Sequence, residues 1–476
     1  MTSLSQRSAT PTAGIAQPRQ VLLIVCAGVV MASLDLFIVN VALPQIATEL
    51  GQPNLADLSW VLNGYAIVYA SLLVLAGRLA DQHSRKSGFL LGVAIFTAAS
   101  AACGAATSVP MLVAFRLVQA AGAALLTPTS LGLVLASYPA ERRGGAVRAW
   151  TATGGMAAAL GPVVGGLLVT ASWRWVFLVN VPIGLAALVF GWLRLPEVPG
   201  HRGPRPDAIA ALLVTAGVAG LTLGLVKGGN WGWDSVTTVA VLAVSAAVIG
   251  LFALRCARHH NPLIDPGLFR VRAFSGASVV TLLFSVSFGA MLLSVVLWMQ
   301  DDWGWSALRS GLAIAPGPIM VPVMSFLVTG RLIARFGPGA VTALGSAAFA
   351  VGVYWWVLSV RLVPDYANLV GGMLLTGIGV GLTLPTLMST AAASLPAHSF
   401  ATGSGVVNML RQVGFAIGVA VLIAVLGTPN TATGRLTAFR HGWVVIAVVA
   451  LAGAVSAVLL RRPRPVVAAV PLTAEG

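Results

Sequence analysis

Charge is scarce in this sequence. Charged residues make up 9% of the 476, against 58% hydrophobic ones, where a soluble domain of this size carries about a quarter. The polar residues needed to cover a water-exposed surface are missing, which leaves the bilayer as solvent. Cysteine is nearly absent too. Cys26, Cys103 and Cys256 are scattered and odd in number, which excludes a disulfide framework or a metal-ligand spacing. Lysine occurs twice, as Lys86 and Lys227. The remaining basic residues are arginines in short clusters between apolar runs, so the net charge of +15 is not the basic face of a nucleic-acid binder. No P-loop is present, and Gly377-Ile378-Gly379-Val380-Gly381 lies in an apolar run, the wrong setting for nucleotide.

Long apolar runs are abundant. A helical span needs about 20 mainly apolar residues, and fourteen segments qualify: 20–44, 57–76, 87–107, 109–137, 146–170, 174–194, 207–226, 236–255, 274–299, 308–333, 340–360, 366–392, 403–427 and 441–460. The run from Val21 carries an Asp and no clear cleavage site, so it reads as a retained first span. With the N-terminus inside, cytoplasmic segments hold 20 Lys and Arg and outer segments 6, while Arg116 and Arg411 lie within spans. That asymmetry predicts both termini in the cytoplasm. The preference for arginine over lysine, with much Ala, Gly and Val, suggests a GC-rich bacterial genome and hence a bacterial cytoplasmic membrane.

An internal repeat organises the spans. Gly77-Arg78-Leu79 recurs as Gly330-Arg331-Leu332 after 253 residues, and Pro128 and Pro139 recur as Pro385 and Pro396 after 257. The predicted fold is all-α and polytopic: a first six-helix bundle over 20–194, a linker with two inserted helices over 195–273, and a second bundle over 274–460. Tails at 1–19 and 461–476 flank them, the first expected to be disordered. Duplicated halves of this kind bind substrate near the bilayer midplane between them.

Of thirteen acids, only Asp35 falls well inside a span. At 1.5 Å per residue it lies roughly 22 Å from the inner surface, and Arg116 roughly 10 Å below the outer one, so the two share a depth. Asn63 and Tyr65 fall in the same layer, and Gln119 one turn further in. A charge at this depth marks a polar cavity. These residues leave two roles open, a proton carrier or a fixed Asp–Arg pin between helices. Asn408, Arg411 and Gln412 share a face of the thirteenth span and either line the cavity or satisfy one another. Trp355-Trp356 reads as an interfacial anchor, and His259-His260 as a solvated loop.

Several segments resemble the major facilitator superfamily, in its fourteen-span drug:proton antiporter branch. "LDLFIVNVALP" (Leu34–Pro44) is similar to the first-helix signature, with Phe37 where Thr is usual. "GRLADQHSRK" (Gly77–Lys86) resembles the loop between the second and third helices, keeping Gly77, Asp81, Arg85 and Lys86 but with Gln82 and Ser84 as departures. "RLVQAAGAA" (Arg116–Ala124) resembles the fourth-helix proton-relay motif. "GGMAAALGPVVGG" (Gly154–Gly166) resembles the fifth-helix antiporter motif, and "WRWVFLVNVPIG" (Trp173–Gly184) a run typical of the branch. The resemblance implies a major-facilitator-type fold and an exporter of hydrophobic or amphipathic small molecules, driven by the proton gradient with no cofactor and working by alternating access. Asp35 and Arg116 would couple protons; Asn40, Asn63, Tyr65, Gln119, Asn408, Arg411 and Gln412 would line the cavity. Gly77, Asp81, Arg85, Lys86, Gly161, Pro162, Gly165 and Gly166 would gate it. A monomer is the working expectation. Uptake or lipid transport on the same fold is the alternative. A membrane-embedded enzyme would need convergent His, Cys or carboxylates inside the membrane, where Asp35 stands alone.

Overall fold

The computed structural model describes residues 17–51, 54–199, 207–395 and 400–460. Within them the chain forms helices and no strand. The first half contains α1 (Pro18–Glu49), α2 (Trp60–Gln82), α3 (Arg85–Gly104), α4 (Val109–Ser137), α5 (Ala140–Val169) and α6 (Asn180–Arg194). Next come α7 (Ala208–Trp231) and α8 (Val236–Arg258), then α9 (Arg272–Leu297), α10 (Ala307–Ile314, continued to Phe336), α11 (Pro338–Ser359), α12 (Ala367–Ala393), α13 (Phe400–Leu426) and α14 (Ala432–Ser456). Thirteen spans are long and apolar enough to cross a bilayer by length and composition, and the 30-residue α5 makes fourteen. Pro18 and Leu460 lie at one end of the bundle, here termed proximal; the opposite end is distal.

Starts and stops follow local chemistry. Ser108 caps α4 by accepting from the Met111 N–H, with Pro110 in the first turn where no donor is needed. Ser84 caps α3, and Thr431 caps α14. Some boundaries differ from the hydropathy reading. α1 runs through Pro44 to Glu49, because bundle packing covers the turn that the proline leaves short of a donor. α14 begins at Ala432, nine residues before the expected 441. Its first turns carry Arg435, paired with Asp302 at 2.6 Å, and Arg440, which donates to the Val360 carbonyl. α10 is broken rather than a single span: Pro316, Pro318 and Pro322 remove three donors, and a wide turn follows over Met324–Thr329. There Thr329 Oγ1 donates to Met324 O and Gly381 O, tying the loosened turn to α12.

α1 packs on α4, α5 and α6, and α3 on α4; in the second half α9 packs on α13, and α11 on α12 and α14. The halves meet along α2–α13 and α5–α10. α7 lies along the outside of the α2–α13 seam, with Lys227 paired to Asp57. α8 packs on α7 and turns Val236, Val239 and Val244 outward. Asp207, the cap of α7, is held by Arg255 at 2.7 Å. Burial alone would push its carboxyl up. The Arg255 guanidinium and the Ala210 N–H outweigh that and keep it below the usual carboxylate range.

One expectation for the aromatics is corrected. Trp356 is not an interfacial anchor: it is fully buried, packs on Trp443 and donates to the Leu369 carbonyl. Helical rotation turns its neighbour Trp355 outward. His259 and His260 stack on each other, and no cluster of metal-ligating side chains occurs among the described residues. The tails at 1–16 and 461–476, the linker at 200–206, and Pro396 lie outside the described residues.

Candidate functional site

The site begins with two residues on adjacent helices. α1 carries Asp35 and α4 carries Arg116, and both side chains are wholly buried. Arg116 Nη1 donates to Asp35 Oδ2. One helical turn along α4, Gln119 completes a triangle. Its Oε1 accepts from Arg116 Nη1 at 2.7 Å, and its Nε2 donates to Asp35 Oδ1 at 2.9 Å. Gln119 Nε2 also reaches Ser100 Oγ of α3 at 2.6 Å, and Asn180 of α6 donates to the same hydroxyl at 3.3 Å. The carboxylate is thus bonded at both oxygens without any contact to bulk water.

The guanidinium is fixed on its other sides. Arg116 Nε donates to the Val61 carbonyl of α2 at 3.1 Å. Its Cζ lies 4.0 Å from the Tyr65 ring centroid and 5.7 Å from that of Phe177. In a desolvated layer such a cation–π contact is worth about 2 kcal/mol. Some hydrogen-bonding capacity is left over, since Arg116 Nη2, Asn63 Oδ1 and Asn180 Oδ1 are buried without partners.

A narrow pocket opens beside this cluster. Leu36, Phe37, Asn40, Leu62, Asn63, Ala66 and Arg116 line it from the first half; Gly289, Leu292, Phe415, Ala416 and Val419 line it from the second. Its water-sized free volume is about 30 Å³, room for about two waters. Asn40 turns its amide back to the Leu36 and Phe37 carbonyls. Tyr65 and Gln119 belong to the charged layer behind the pocket rather than to its wall. Asn408 and Arg411 are half-buried and Gln412 buried on α13, below the turn that carries Phe415. The Gln412 Oε1 and Arg411 Nε atoms are buried without partners, so the three do not satisfy one another fully.

The glycines of α5 sit where two contacts leave no space. A Cβ at Gly165 would lie 2.9 Å from Ile38 O of α1, and one at Gly166 would lie 2.7 Å from Ala307 O of α10. Gly161 faces Phe37, and Pro162 faces Gly311 of α10. This stretch therefore packs on α1 and on the opposite half together toward the distal end. Gln300 adds a hydrogen bond to the Val41 carbonyl at 3.1 Å.

In the proximal loop, Lys86 and Ser84 bond within the first half. Lys86 pairs with Glu197 at 3.4 Å, Ser84 donates to the same carboxylate, and the Arg85 N–H bonds Val198 O. These partners follow α6 in the same half, because the 195–199 segment folds back over the start of α3. Arg85 also packs its stem against Gly132 of α4, and Gly77 lies against Pro128. The side chain of Asp81 lies outside the described residues.

Reasoning from sequence missed Ser100, Asn180 and the Val61 carbonyl. A serine in an apolar span gives no signal, and a backbone acceptor gives none at all. Asn180 stands within the quoted "WRWVFLVNVPIG" run, which offered a hint. That run also supplies Phe177 under the guanidinium and Trp173, which donates to Glu49 at 2.9 Å.

Comparison with known proteins adds an independent line. The sequence is 34% identical over 419 residues to the tetracenomycin C resistance and export protein of Streptomyces glaucescens, covering 87% of this chain and 77% of the relative. It is 34% identical to the methylenomycin A resistance protein of Bacillus subtilis, covering 88% of both. A multidrug resistance protein of Mycobacterium tuberculosis is likewise 34% identical, over 85% of this chain and 75% of its own. In fold, the chain superposes on the crystal structure of the POT family transporter PepTSo with a TM-score of 0.67. That match covers 93% of this chain and 97% of the other at 16% identity. The sequence model of the Major Facilitator Superfamily matches residues 25–419 and again 279–475, starts set apart by nearly the spacing of the internal repeat. With two duplicated bundles, a pocket at their seam and matches across most of its length, this chain belongs to the Major Facilitator Superfamily.

Proposed function

We propose that the protein is a proton-coupled exporter of lipophilic small molecules, working by alternating access in a bacterial cytoplasmic membrane. The observation that carries this reading is the buried Asp35–Arg116–Gln119 cluster, whose arginine forms part of the pocket between the halves. A carboxylate inside the membrane gains or loses a proton according to which side admits water and whether its arginine is near. Coupling follows if the pocket's opening to one side changes that pairing. Leu36, Phe37, Leu62, Leu292, Phe415 and Val419 give the pocket an apolar wall suited to lipophilic cargo.

Export rather than uptake is favoured by the relatives, all three named for resistance and one also for export. The asymmetry of Lys and Arg favours both termini in the cytoplasm, with the proximal end facing inward. The glycine-packed distal contact then faces outward. The proton gradient supplies the energy, and a single chain contains both halves of the path.

The test is purified protein in proteoliposomes with an imposed pH gradient and a panel of lipophilic compounds. Gradient-dependent movement, abolished by a protonophore, supports the reading; movement indifferent to the gradient overturns proton coupling.

A further inference from the structure

The charges inside the bundle do not balance. Asp35 is taken up by Arg116, and among the described residues no other carboxylate lines the pocket to meet a cationic substrate. Arg411 is a second arginine at membrane depth, eleven residues into α13 and so roughly 16 Å along it. It forms no hydrogen bond or ion pair among the described residues, and its Nε is buried without a partner. Its electrostatic neighbour is Tyr69 of α2, whose hydroxyl is bonded to Thr127 at 3.1 Å. A charge left uncompensated at this depth is costly and marks a ligand path.

The position of Arg411 ties it to the pocket. Phe415, which lines the pocket, is one turn further along the same face of α13. Tyr69 stands one turn from Ala66, which lines it from α2. Arg411 and Tyr69 thus border the pocket's proximal side, where the two halves meet along α2 and α13. Above lies the apolar wall with the aromatic rings of Phe37 and Phe415, whose centroids are 6.2 Å apart.

We infer that Arg411 is an anchoring site for the acid group of the transported molecule, so that the substrates are lipophilic organic acids whose apolar body lies against Phe37 and Phe415. The inference rests on the exporter reading above and specifies its substrate class. An anionic oxygen at Arg411 supplies the missing counter-charge and a charge-assisted hydrogen bond. A cationic substrate would instead meet two arginines and a carboxylate already engaged.

The experiment uses full-length protein in lipid nanodiscs and three probes of one shape: 2-naphthoate, 2-naphthamide and 2-naphthylmethylammonium. The unmodified protein is expected to bind the acid about tenfold or more tighter than the amide, with the ammonium weakest. Arg411→Gln should reduce the acid-to-amide ratio to within about twofold, and Arg411→Lys should keep part of it. Equal binding of acid and amide by the unmodified protein overturns the inference, as do preference for the ammonium, failure of the acid to bind at millimolar concentration, or an unchanged ratio in Arg411→Gln. Should Arg411→Gln not fold, the probe series on the unmodified protein and on Arg411→Lys decides. Gradient-driven movement of the lipophilic panel in proteoliposomes tests export separately: acid that binds selectively but is not moved fails the export reading alone, and export without acid preference fails this inference alone.

Discussion

The Gln119 amide holds Asp35 in place: Nε2 donates to Asp35 Oδ1 at 2.9 Å while Oε1 of the same amide accepts from Arg116. A proton carrier needs a group whose charge can change while its surroundings stay assembled. Asp35→Asn keeps an oxygen that can still accept from Arg116 or Gln119 but cannot carry a proton. It is expected to lower gradient-driven transport in proteoliposomes at least about tenfold, with normal expression and insertion. Undiminished transport by this variant would rule out the carrier role. Loss of folded protein would instead favour a fixed pin between α1 and α4.

Arg116→Gln removes the positive charge and retains an amide within reach of the same layer. Losing a nearby cation makes protonation of Asp35 easier, so the pH at which transport is half-maximal should move upward. A role confined to substrate contact would raise the apparent KM and leave the pH profile where it was. Stability should fall as well, because breaking a buried pair costs about 3–5 kcal/mol; the profile must therefore be measured on the folded fraction.

Gly166 faces the Ala307 carbonyl across the seam between halves. Gly166→Val forces α5 and α10 apart at the distal end, since the backbone there cannot retreat as a side chain would. Efflux is expected to drop about tenfold. A cysteine introduced at Leu292, on the pocket wall, should then react faster with a membrane-impermeant maleimide applied from the distal side. Unchanged labelling would show that the glycine serves packing alone.

Asp207 precedes the membrane-spanning α7 as its cap and pairs with Arg255, with its carboxyl held below the usual range. For a carboxyl depressed in the folded state, the stabilisation is present above the unfolded pKa, about 3.9, and is lost as pH falls through the folded value. Asp207→Asn retains a good cap and deletes only the charge. It should cost about 0.5 kcal/mol at neutral pH, and the gap should narrow below about pH 4. Thermal unfolding of both proteins in one detergent at pH 7 and pH 3.5 reads this directly; a gap that widens in acid would refute the assignment.

The sequence by itself determined the class of structure, the fourteen apolar segments and the depth of the charged layer. Hydropathy reads one coordinate, the position along the membrane normal, because each residue advances a helix by about 1.5 Å and the bilayer penalises charge by depth. That coordinate was enough to put Asp35 and Arg116 at one level from their distance to the span ends. It could not turn helices toward each other. The facing of α1 and α4, the bridge by Gln119, the second support by Ser100 and Asn180, and the Val61 carbonyl behind the guanidinium were decided by the packing of five helices. So was the pairing of Lys86 with Glu197 rather than across the halves, and the burial of Trp356 beside an exposed Trp355. Neighbouring residues on a helix point about 100° apart, and in a chain apolar on nearly every face no polar stripe tells which direction is the core. Tertiary packing alone makes that choice, and with it the placing of Arg411 where no described side chain balances its charge.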